Sequence, residues 1–281
     1  MGIQVKPTGQ ACGAEIRGVD LTAPLDAATI KEIKTAWHEH HVLIFPEQKM
    51  SDDDLERFTY SFGAVAEDPF IQPIAGREHI IAVQRRADET TSIFADVWHT
   101  DWSFQQNPPI GTCLYGITIP PIGGNTDFAN QKLAYANMPI ALKAKLAGKL
   151  AIHSAAGGYS PDGLYSDADS EADRSMKIVV SDDARETQNH PLVQAHPESG
   201  KEGVYGCLGY IMGIDGLDQT DTFNLLMELH EWQTKAEFVY SHPWQENMLV
   251  MWDNRSVLHK ANAGYDGYDR LLHRTTIGAV V

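Results

Sequence analysis

The sequence predicts a mainly β fold with flanking helices, arranged as a jelly roll. Short strand-like runs dominate the second half of the chain, at residues 238–240, 248–252 and 270–277. Helical spacing is clearest early, where Asp26 can cap a helix with apolar residues on one face. Short strands, with the helices in a separate part of the chain, favour a jelly roll with helices packed against it. The chain shows no repeat, linker or low-complexity tract, so we expect a single domain over residues 1–281.

The N-terminal part of the chain predicts alternating strands and helices. Residues 3–21 alternate in polarity and carry Gly and Pro, which is typical of short strands. The first helix ends near residues 38–41, where we attribute the three histidines to the favourable C-terminal helix dipole and not to a metal site. A buried strand is expected at residues 42–45, and Ser51 is placed to cap a second helix.

Loops separate the predicted elements in the middle of the chain. An irregular loop at residues 67–76 precedes a strand at 80–83, and a further strand is expected at 114–119. Helical segments are expected over about 131–150. Residues 155–183 are rich in Gly, Ser and Asp, and a loop of this length in a compact domain is usually functional or disordered. We interpret this segment as an active-site lid.

One further strand and one helix are expected in the C-terminal third. Residues 204–208 predict a strand. Residues 218–232 predict a helix that begins at an Asp cap and places Phe223, Leu226 and His230 on one side.

The composition argues against several classes of function. The formal net charge is −16, so a nucleic-acid interface is not expected. Three well-separated cysteines, an odd number, argue against a disulfide framework and for a reducing compartment. Neither a signal peptide nor an apolar run of membrane-spanning length is visible. These features predict a cytoplasmic protein with no nucleic-acid or membrane partner.

Three residues form a candidate metal site. His99 and Asp101 are two positions apart, and in an extended segment such side chains share one face. His259 follows a strand-like run and an Asp-Asn turn, and it is the candidate third ligand. A His-x-Asp pair alone is a weak signal in a chain with twelve histidines. Two histidines and a carboxylate together form the facial triad of non-haem Fe(II) oxygenases, which leaves coordination positions open.

Further motifs accompany these candidate ligands nearly from end to end of the chain. An arginine, Arg270, stands eleven residues after His259. The other segments are residues 13–21, 62–63, 123–126, 196–200 and 273–276. In this combination the chain resembles the taurine dioxygenase / 2,4-D dioxygenase family of Fe(II)/2-oxoglutarate-dependent oxygenases.

The resemblance implies a fold, a reaction and a set of cofactors. The family's fold is the double-stranded β-helix, a jelly roll. The metal would be Fe(II), with 2-oxoglutarate and O2 as co-substrates. The reaction would hydroxylate a small organic acid (a carboxylate, sulfonate or sulfate ester) and release succinate and CO2. Halogenases of this class lack the carboxylate ligand, so Asp101 favours hydroxylation. The family also implies a homodimer or homotetramer.

The last predicted strand carries the candidate co-substrate ligands. Arg270 and Arg274 share one face of this strand, and by composition alone a salt-bridged surface would be the simpler interpretation. Arginine forms bidentate pairs with carboxylates, and 2-oxoglutarate has two of them. The resemblance implies that Arg270, with Thr126, holds the distal carboxylate. It also implies that Arg274 lies nearer the metal and contacts the keto-acid end and an anionic substrate.

The substrate is expected to be an acid with an apolar part. Arg274 suggests the acidic group, and Trp102, Phe70 and Tyr159 are candidate aromatic contacts. A taurine dioxygenase would supply a histidine after the Phe-Gly pair to help hold a sulfonate, whereas residues 67–73 here contain no histidine and carry two added acids. We therefore expect taurine to be a poor substrate. An aryloxyalkanoate or alkyl sulfate, hydroxylated beside its heteroatom or anionic group, would suit the site better.

Two alternatives remain open at this point. The first is a jelly-roll metalloprotein with a different reaction, such as a cupin-like isomerase or a metal hydrolase. Such a protein would have no need of a keto-acid site at Arg270 and Thr126. The second is a non-enzymatic binding protein on the same scaffold, and the complete ligand set argues against it.

Overall fold

The computed structural model describes residues 2–166 and 173–279, and in this part of the chain the fold is mainly β with flanking helices. The strands are β1 (Gln4–Pro7), β2 (Ala14–Arg17), β3 (Val42–Phe45), β4 (Ala64–Val65), β5 (Ile81–Arg85), β6 (Gly111–Thr118), β7 (Thr126–Asn130), β8 (Leu150–Ser154), β9 (Thr187–Pro191), β10 (Val193–Ala195), β11 (Glu202–Val204), β12 (Ile211–Ile214), β13 (Val239–His242), β14 (Leu249–Asp253), β15 (Val257–Ala261) and β16 (Arg270–Gly278). The helices are α1 (Ala27–His40), α2 (Asp52–Tyr60), α3 (Gln131–Ala136), α4 (Ile140–Leu146), α5 (Ala156–Tyr159) and α6 (Gln219–Gln233), with 3-10 turns at Asp182–Arg185 and Ala236–Phe238.

The strands form one large sheet and three small ones. The large sheet has the order β1-β2-β3-β14-β6-β16-β4, and β5 also pairs with β16. Its pairs are antiparallel except for β2 with β3. The small sheets have the orders β13-β7-β15, β12-β8-β9 and β10-β11.

The central strands of the large sheet are buried on both faces, whereas the edge strands β1 and β4 are exposed. Successive residues of a strand point to opposite faces, and β3 shows this directly. Its Leu43 and Phe45 join a core with α1 and α2, while Val42 and Ile44 join a second core with the β13-β7-β15 sheet. Burial on both sides explains the unbroken apolar run Val-Leu-Ile-Phe. Each such side chain contributes roughly 1.5–3 kcal/mol to stability when fully buried.

Polar caps fix the starts of the three longest helices. Asp26 accepts a hydrogen bond from the backbone N–H of Thr29 at 2.7 Å, as the sequence predicts. Ser51 forms a reciprocal capping box with Asp54 at the start of α2. Asp218 caps α6, which confirms that predicted helix start.

The structure differs from the sequence prediction in several elements. The predicted strand at 204–208 is wrong, because pairing stops at Val204 and Gly206 adopts a φ of 106° that a strand does not accommodate. Phe223 is 59% exposed, so the predicted packing side of α6 is also wrong there. Leu226 joins the core as predicted, together with Leu225 and Leu229. Strands β4, β7 to β10, β12 and β15 were not predicted. Among the described helices, none is long and apolar enough to cross a membrane.

Candidate metal centre and cavity

A backbone pairing brings the two candidate histidine ligands together. The N–H of His99 donates to the carbonyl of His259 at 3.0 Å, and the N–H of His259 donates back at 2.7 Å. The two imidazole centroids are consequently 4.2 Å apart. His259 lies in β15, but the extended segment expected from His99 to Asp101 is wrong: His99 makes a single bridge, and a turn begins at Asp101. The turn, and not strand alternation, therefore places this carboxylate beside the histidines.

The three side chains converge on one point. Oδ1 of Asp101 lies 3.8 Å from Nε2 of His99 and 3.7 Å from Nε2 of His259. One ligand atom from each residue falls within 4.8 Å of the others, and all three residues are buried. We call His99, Asp101 and His259 the ligand triad.

Hydrogen bonds and burial prepare the triad to bind a cation. Nδ1 of His99 donates to the carbonyl of Val97 at 2.8 Å, which leaves Nε2 of the neutral ring free to coordinate. Burial lowers the pKa of His99, and it lowers that of His259 to about 3. Burial works against ionisation of Asp101, but His259, Arg274 and His99 keep its pKa below the usual value. Thr112 donates to Oδ2 of Asp101 at 2.5 Å and leaves Oδ1 facing the histidines.

The donor set fits Fe(II). Two neutral imidazole nitrogens and one carboxylate oxygen suit non-haem iron with open coordination positions. His99 and Asp101 also line a cavity of about 220 Å³, so a ligand in the cavity would reach a metal held by the triad.

The walls of this cavity are largely aromatic and apolar. The remaining lining residues are Phe94, Ala95, Val97, Trp102, Gly157, Gly158, Tyr159, Leu164, Tyr165, Gly209, Tyr210 and Arg274. The predicted contacts Trp102, Tyr159 and Arg274 are among them. Phe70 is not, because it packs behind Tyr159 with ring centroids 5.1 Å apart. Tyr210 also lines the cavity but was not predicted, because the Gly-containing turn before it carries no distinctive pattern.

Part of the predicted lid reaches the cavity. α5 and residues 164–165 contribute lining side chains or backbone. Tyr159 is 3% exposed and belongs to the core beside the cavity. Residues 167–172 of the predicted lid lie outside the part of the chain that the structure describes.

Arg270 is buried against Gly124, two residues before Thr126 in the chain, without a carboxylate partner among the described residues. It is 5% exposed, and its Nη2 donates to the carbonyl of Gly124 at 3.2 Å. Its Nε has no hydrogen-bond partner, and its guanidinium lies 5.7 Å from the ring centre of Tyr265. Burial lowers the pKa of Arg270. A buried cation with an unused donor is suited to a carboxylate of a ligand.

Thr126 has a hydroxyl positioned by a tryptophan. The indole N–H of Trp244 donates to Oγ1 of Thr126 at 2.9 Å, and both residues are buried. The hydroxyl oxygen thus accepts from Trp244, which leaves its own O–H able to donate to a ligand. This role of Trp244 was not predictable from the sequence, because the two residues are 118 positions apart.

Arg274, in contrast, already has a carboxylate partner. Its Nη2 donates to Oδ1 of Asp68, and its Nη1 lies 3.7 Å from Oδ1 of Asp101. The guanidinium also stacks on Trp102, 5.1 Å from the ring centre. These two carboxylates hold the pKa of Arg274 above its usual value although burial works in the opposite direction. The sequence drew attention to Asp68 as an added acid but did not place it on Arg274.

The family comparison agrees with this geometry. Residues 4–276 match the family described as "Taurine catabolism dioxygenase TauD, TfdA family". Among solved structures, a taurine dioxygenase from Burkholderia xenovorans superposes with a TM-score of 0.81 at 29% identity, covering 100% of this chain and 92% of that one.

Curated relatives are similar over nearly the whole chain. The alkylsulfatase of Acinetobacter baylyi is 33% identical, over 99% of this chain and 86% of the relative. The alpha-ketoglutarate-dependent 2,4-dichlorophenoxyacetate dioxygenase of Cupriavidus pinatubonensis is 32% identical over 98% of each. The alpha-ketoglutarate-dependent sulfate ester dioxygenase of Pseudomonas putida is 32% identical over 99% of this chain and 90% of the relative.

Proposed function

The chain belongs to the TauD, TfdA dioxygenase family, and from this we propose that it hydroxylates a small organic acid, with Fe(II) as its metal and 2-oxoglutarate and O2 as co-substrates. The observation that carries the proposal is the ligand triad. Three buried donors of the right chemistry converge within 4.8 Å beside a cavity.

The residues of the site have separate roles in this proposal. His99, Asp101 and His259 hold the metal. Arg270 and the hydroxyl of Thr126 bind the distal carboxylate of 2-oxoglutarate, which would supply the buried guanidinium with its missing anion. When bound, Fe(II) supplies the redox chemistry that converts 2-oxoglutarate to succinate and CO2 and hydroxylates the substrate.

The cavity walls position the substrate and exclude water. Trp102, Tyr159 and Tyr210 surround the space next to the triad with aromatic surface. An apolar group bound there would be desolvated and held close to the metal position. Phe70 supports this wall from behind through its stack on Tyr159.

The proposed substrate is an acid with a substantial apolar part. Relatives are named for alkyl sulfates, sulfate esters and 2,4-dichlorophenoxyacetate. Arg274 offers the only side-chain cation among the described lining residues, and the rest of the lining is mostly apolar or aromatic. Taurine, which is small and zwitterionic, would leave the aromatic surface uncovered, so we propose that it is a poor substrate.

The competing functions account for less of the site. An isomerase or hydrolase that uses the same triad has no use for the buried guanidinium of Arg270, which has no carboxylate partner among the described residues. A binding protein without activity has no reason to keep three converging metal ligands.

We extend the proposal to architecture and assembly. The large sheet and the β13-β7-β15 sheet pack face to face over a shared core, which is what a double-stranded β-helix requires. We propose one catalytic domain over residues 1–281, with residues 155–183 as a lid over the cavity. The three cysteines are buried and free, which suits a cytoplasmic setting. A homodimer or homotetramer is the expected assembly, to be checked by light scattering.

A succinate assay tests the proposed function. The protein is incubated with Fe(II), 2-oxoglutarate, O2 and matched panels of taurine, alkyl sulfonates, alkyl sulfates and aryloxy acids. We expect succinate formation to be fastest with an alkyl sulfate or aryloxy acid. Anaerobic addition of Fe(II) and 2-oxoglutarate should also produce a weak visible charge-transfer band. No band and no succinate with any acid would refute the function, whereas fastest turnover of taurine would refute only the substrate class.

A further inference from the structure

We propose that Asp68 is a specificity-determining residue that competes with the acid group of the substrate for Arg274. The proposal rests on the proposed function only in taking the substrate to be an acid. Asp68 belongs to the loop between β4 and β5, and Arg274 lies in β16 and lines the cavity.

The contact between the two residues is built into the protein interior. The side chains of Asp68 and Arg274 are 5% and 6% exposed. Besides its ion pair with Arg274, Oδ1 of Asp68 accepts a hydrogen bond from the indole N–H of Trp102 at 2.5 Å. Since Trp102 also stacks on the guanidinium, the three side chains form one closed cluster beside the triad. We call this cluster the Asp68 clamp.

The backbone at the clamp is in an unusual conformation. Trp102 has a φ of 48°, in the left-handed region that a bulky side chain rarely adopts. Such conformations persist only where surrounding contacts hold them, and they concentrate at functional sites. The hydrogen bond from Trp102 to Asp68 is one of those contacts. Asp68 therefore organises the wall next to Asp101 as well as neutralising Arg274.

The charges of the clamp explain why Asp68 acts as a competitor. Arg274 is the only cation among the described residues that line the cavity, and Asp68 already neutralises it. An incoming carboxylate or sulfate must therefore displace Asp68 or remain beside two carboxylates, Asp68 and Asp101. Like charges brought together in a buried site are strongly unfavourable.

This competition selects for apolar surface in the substrate. A small polar acid has little surface that could offset the loss of the Asp68–Arg274 pair. An acid with a large apolar group can offset it by filling the aromatic cavity, because each buried methylene contributes about 0.8 kcal/mol. Asp68 thus disfavours every anion equally, and only those with enough apolar area bind well.

Equilibrium binding to the Asp68→Asn variant tests the proposal. Asparagine keeps the size of the side chain and can still accept from Trp102, but it carries no charge. The probes are phenoxyacetate and phenoxyethanol, which share the phenoxy group and differ in the carboxylate. Binding is measured by calorimetry on the full chain, anaerobically and with excess 2-oxoglutarate. Turnover is impossible without O2, and the excess 2-oxoglutarate occupies the keto-acid site.

We expect Asp68→Asn to tighten phenoxyacetate binding by at least about tenfold, because a like-charge contact worth more than about 1.4 kcal/mol is removed. Phenoxyethanol affinity should change by less than about twofold. The matched control is Glu67→Gln, which removes the same charge from the exposed neighbouring residue and should change neither affinity. Equal gains for both probes, or no gain for phenoxyacetate in a folded variant, would overturn the proposal.

A measurement on the unmodified protein covers the case in which Asp68→Asn does not fold. In a crystal structure with phenoxyacetate, the ligand carboxylate should contact Arg274, and Asp68 should have left it. A ligand carboxylate bound elsewhere, with Asp68 still on Arg274, would contradict competition. Neither experiment measures turnover, so a failure here is distinct from a failure to form succinate.

Discussion

Replacing Arg270 with glutamine should weaken 2-oxoglutarate binding and, at the same time, stabilise the ligand-free protein. Arg270 is 5% exposed, and its Nε has no partner. Among the described residues its guanidinium hydrogen-bonds to the backbone carbonyl of Gly124 and to no carboxylate. A buried cation without an anionic partner lowers the free energy of unfolding unless a bound ligand supplies the anion.

The magnitude follows from the interactions that glutamine cannot make. Arginine can donate two parallel hydrogen bonds to a carboxylate, and a hydrogen bond to a charged group contributes about 1.5–3 kcal/mol. Loss of one such bond corresponds to a weakening of roughly 10- to 150-fold in the dissociation constant of 2-oxoglutarate. In the ligand-free protein, removing the buried charge should raise the free energy of unfolding by about 1 kcal/mol. This gain would raise Tm by roughly 2–4 °C.

Two measurements on the same preparations check both effects. Anaerobic titration of the Fe(II) protein with 2-oxoglutarate gives the dissociation constant, and thermal melts with and without 2-oxoglutarate give Tm. Arg85→Gln is the matched control, because Arg85 lies opposite Arg270 in the sheet and its guanidinium donates to the carbonyls of Thr91 and Glu89. Unchanged 2-oxoglutarate affinity in Arg270→Gln would show that another group holds the keto acid.

Three further predictions concern the metal, the co-substrate and pH. Alanine at any one position of the ligand triad should abolish stoichiometric Fe(II) binding while far-UV circular dichroism is retained, and full metal content in any variant would remove that residue from the set. Trp244→Phe should raise the 2-oxoglutarate dissociation constant about 2- to 12-fold by freeing the Thr126 hydroxyl, whereas Trp232→Phe, which loses a bond to a backbone carbonyl, should not. Burial lowers the pKa of both His153 and His242 to about 3, so the unfolded chain binds more protons below about pH 6.5. Urea unfolding should therefore show stability falling as pH drops from about 6.5 toward 3, by up to about 1.4 kcal/mol per pH unit for each histidine, and a flat profile would contradict this.

Local signals in the sequence predicted the elements that depend on local chemistry. Helix caps at Asp26 and Ser51 need only a side chain and the following backbone N–H groups, and both were found as predicted. The strand at residues 42–45 was predictable from its unbroken apolar run. Strand β15 was not predictable from a local pattern, because it forms by pairing with β7. The paired residues Val257 and Asn130 are 127 positions apart.

The candidate site was predictable in its residue types but not in its contacts. His99, Asp101 and His259 could be singled out because metal chemistry restricts the side chains that can serve. Their convergence depends on a backbone pairing between residues 160 positions apart, which no local pattern encodes. The same holds for Asp68, whose partner Arg274 is 206 positions away. Sequence alone therefore assigned Arg274 to ligand binding without revealing that Asp68 already pairs with it.

The different states of the two arginines on β16 separate the two binding events. Arg270 has no carboxylate partner among the described residues, so 2-oxoglutarate can bind there without displacing a protein group. Arg274 is held by Asp68, so the substrate acid must compete for it. It follows that Arg270→Gln should act chiefly on 2-oxoglutarate affinity and Asp68→Asn chiefly on that of the acid. If each substitution instead shifted both affinities by the same factor, the two guanidinium groups would be one anion site and the competition argument would fail.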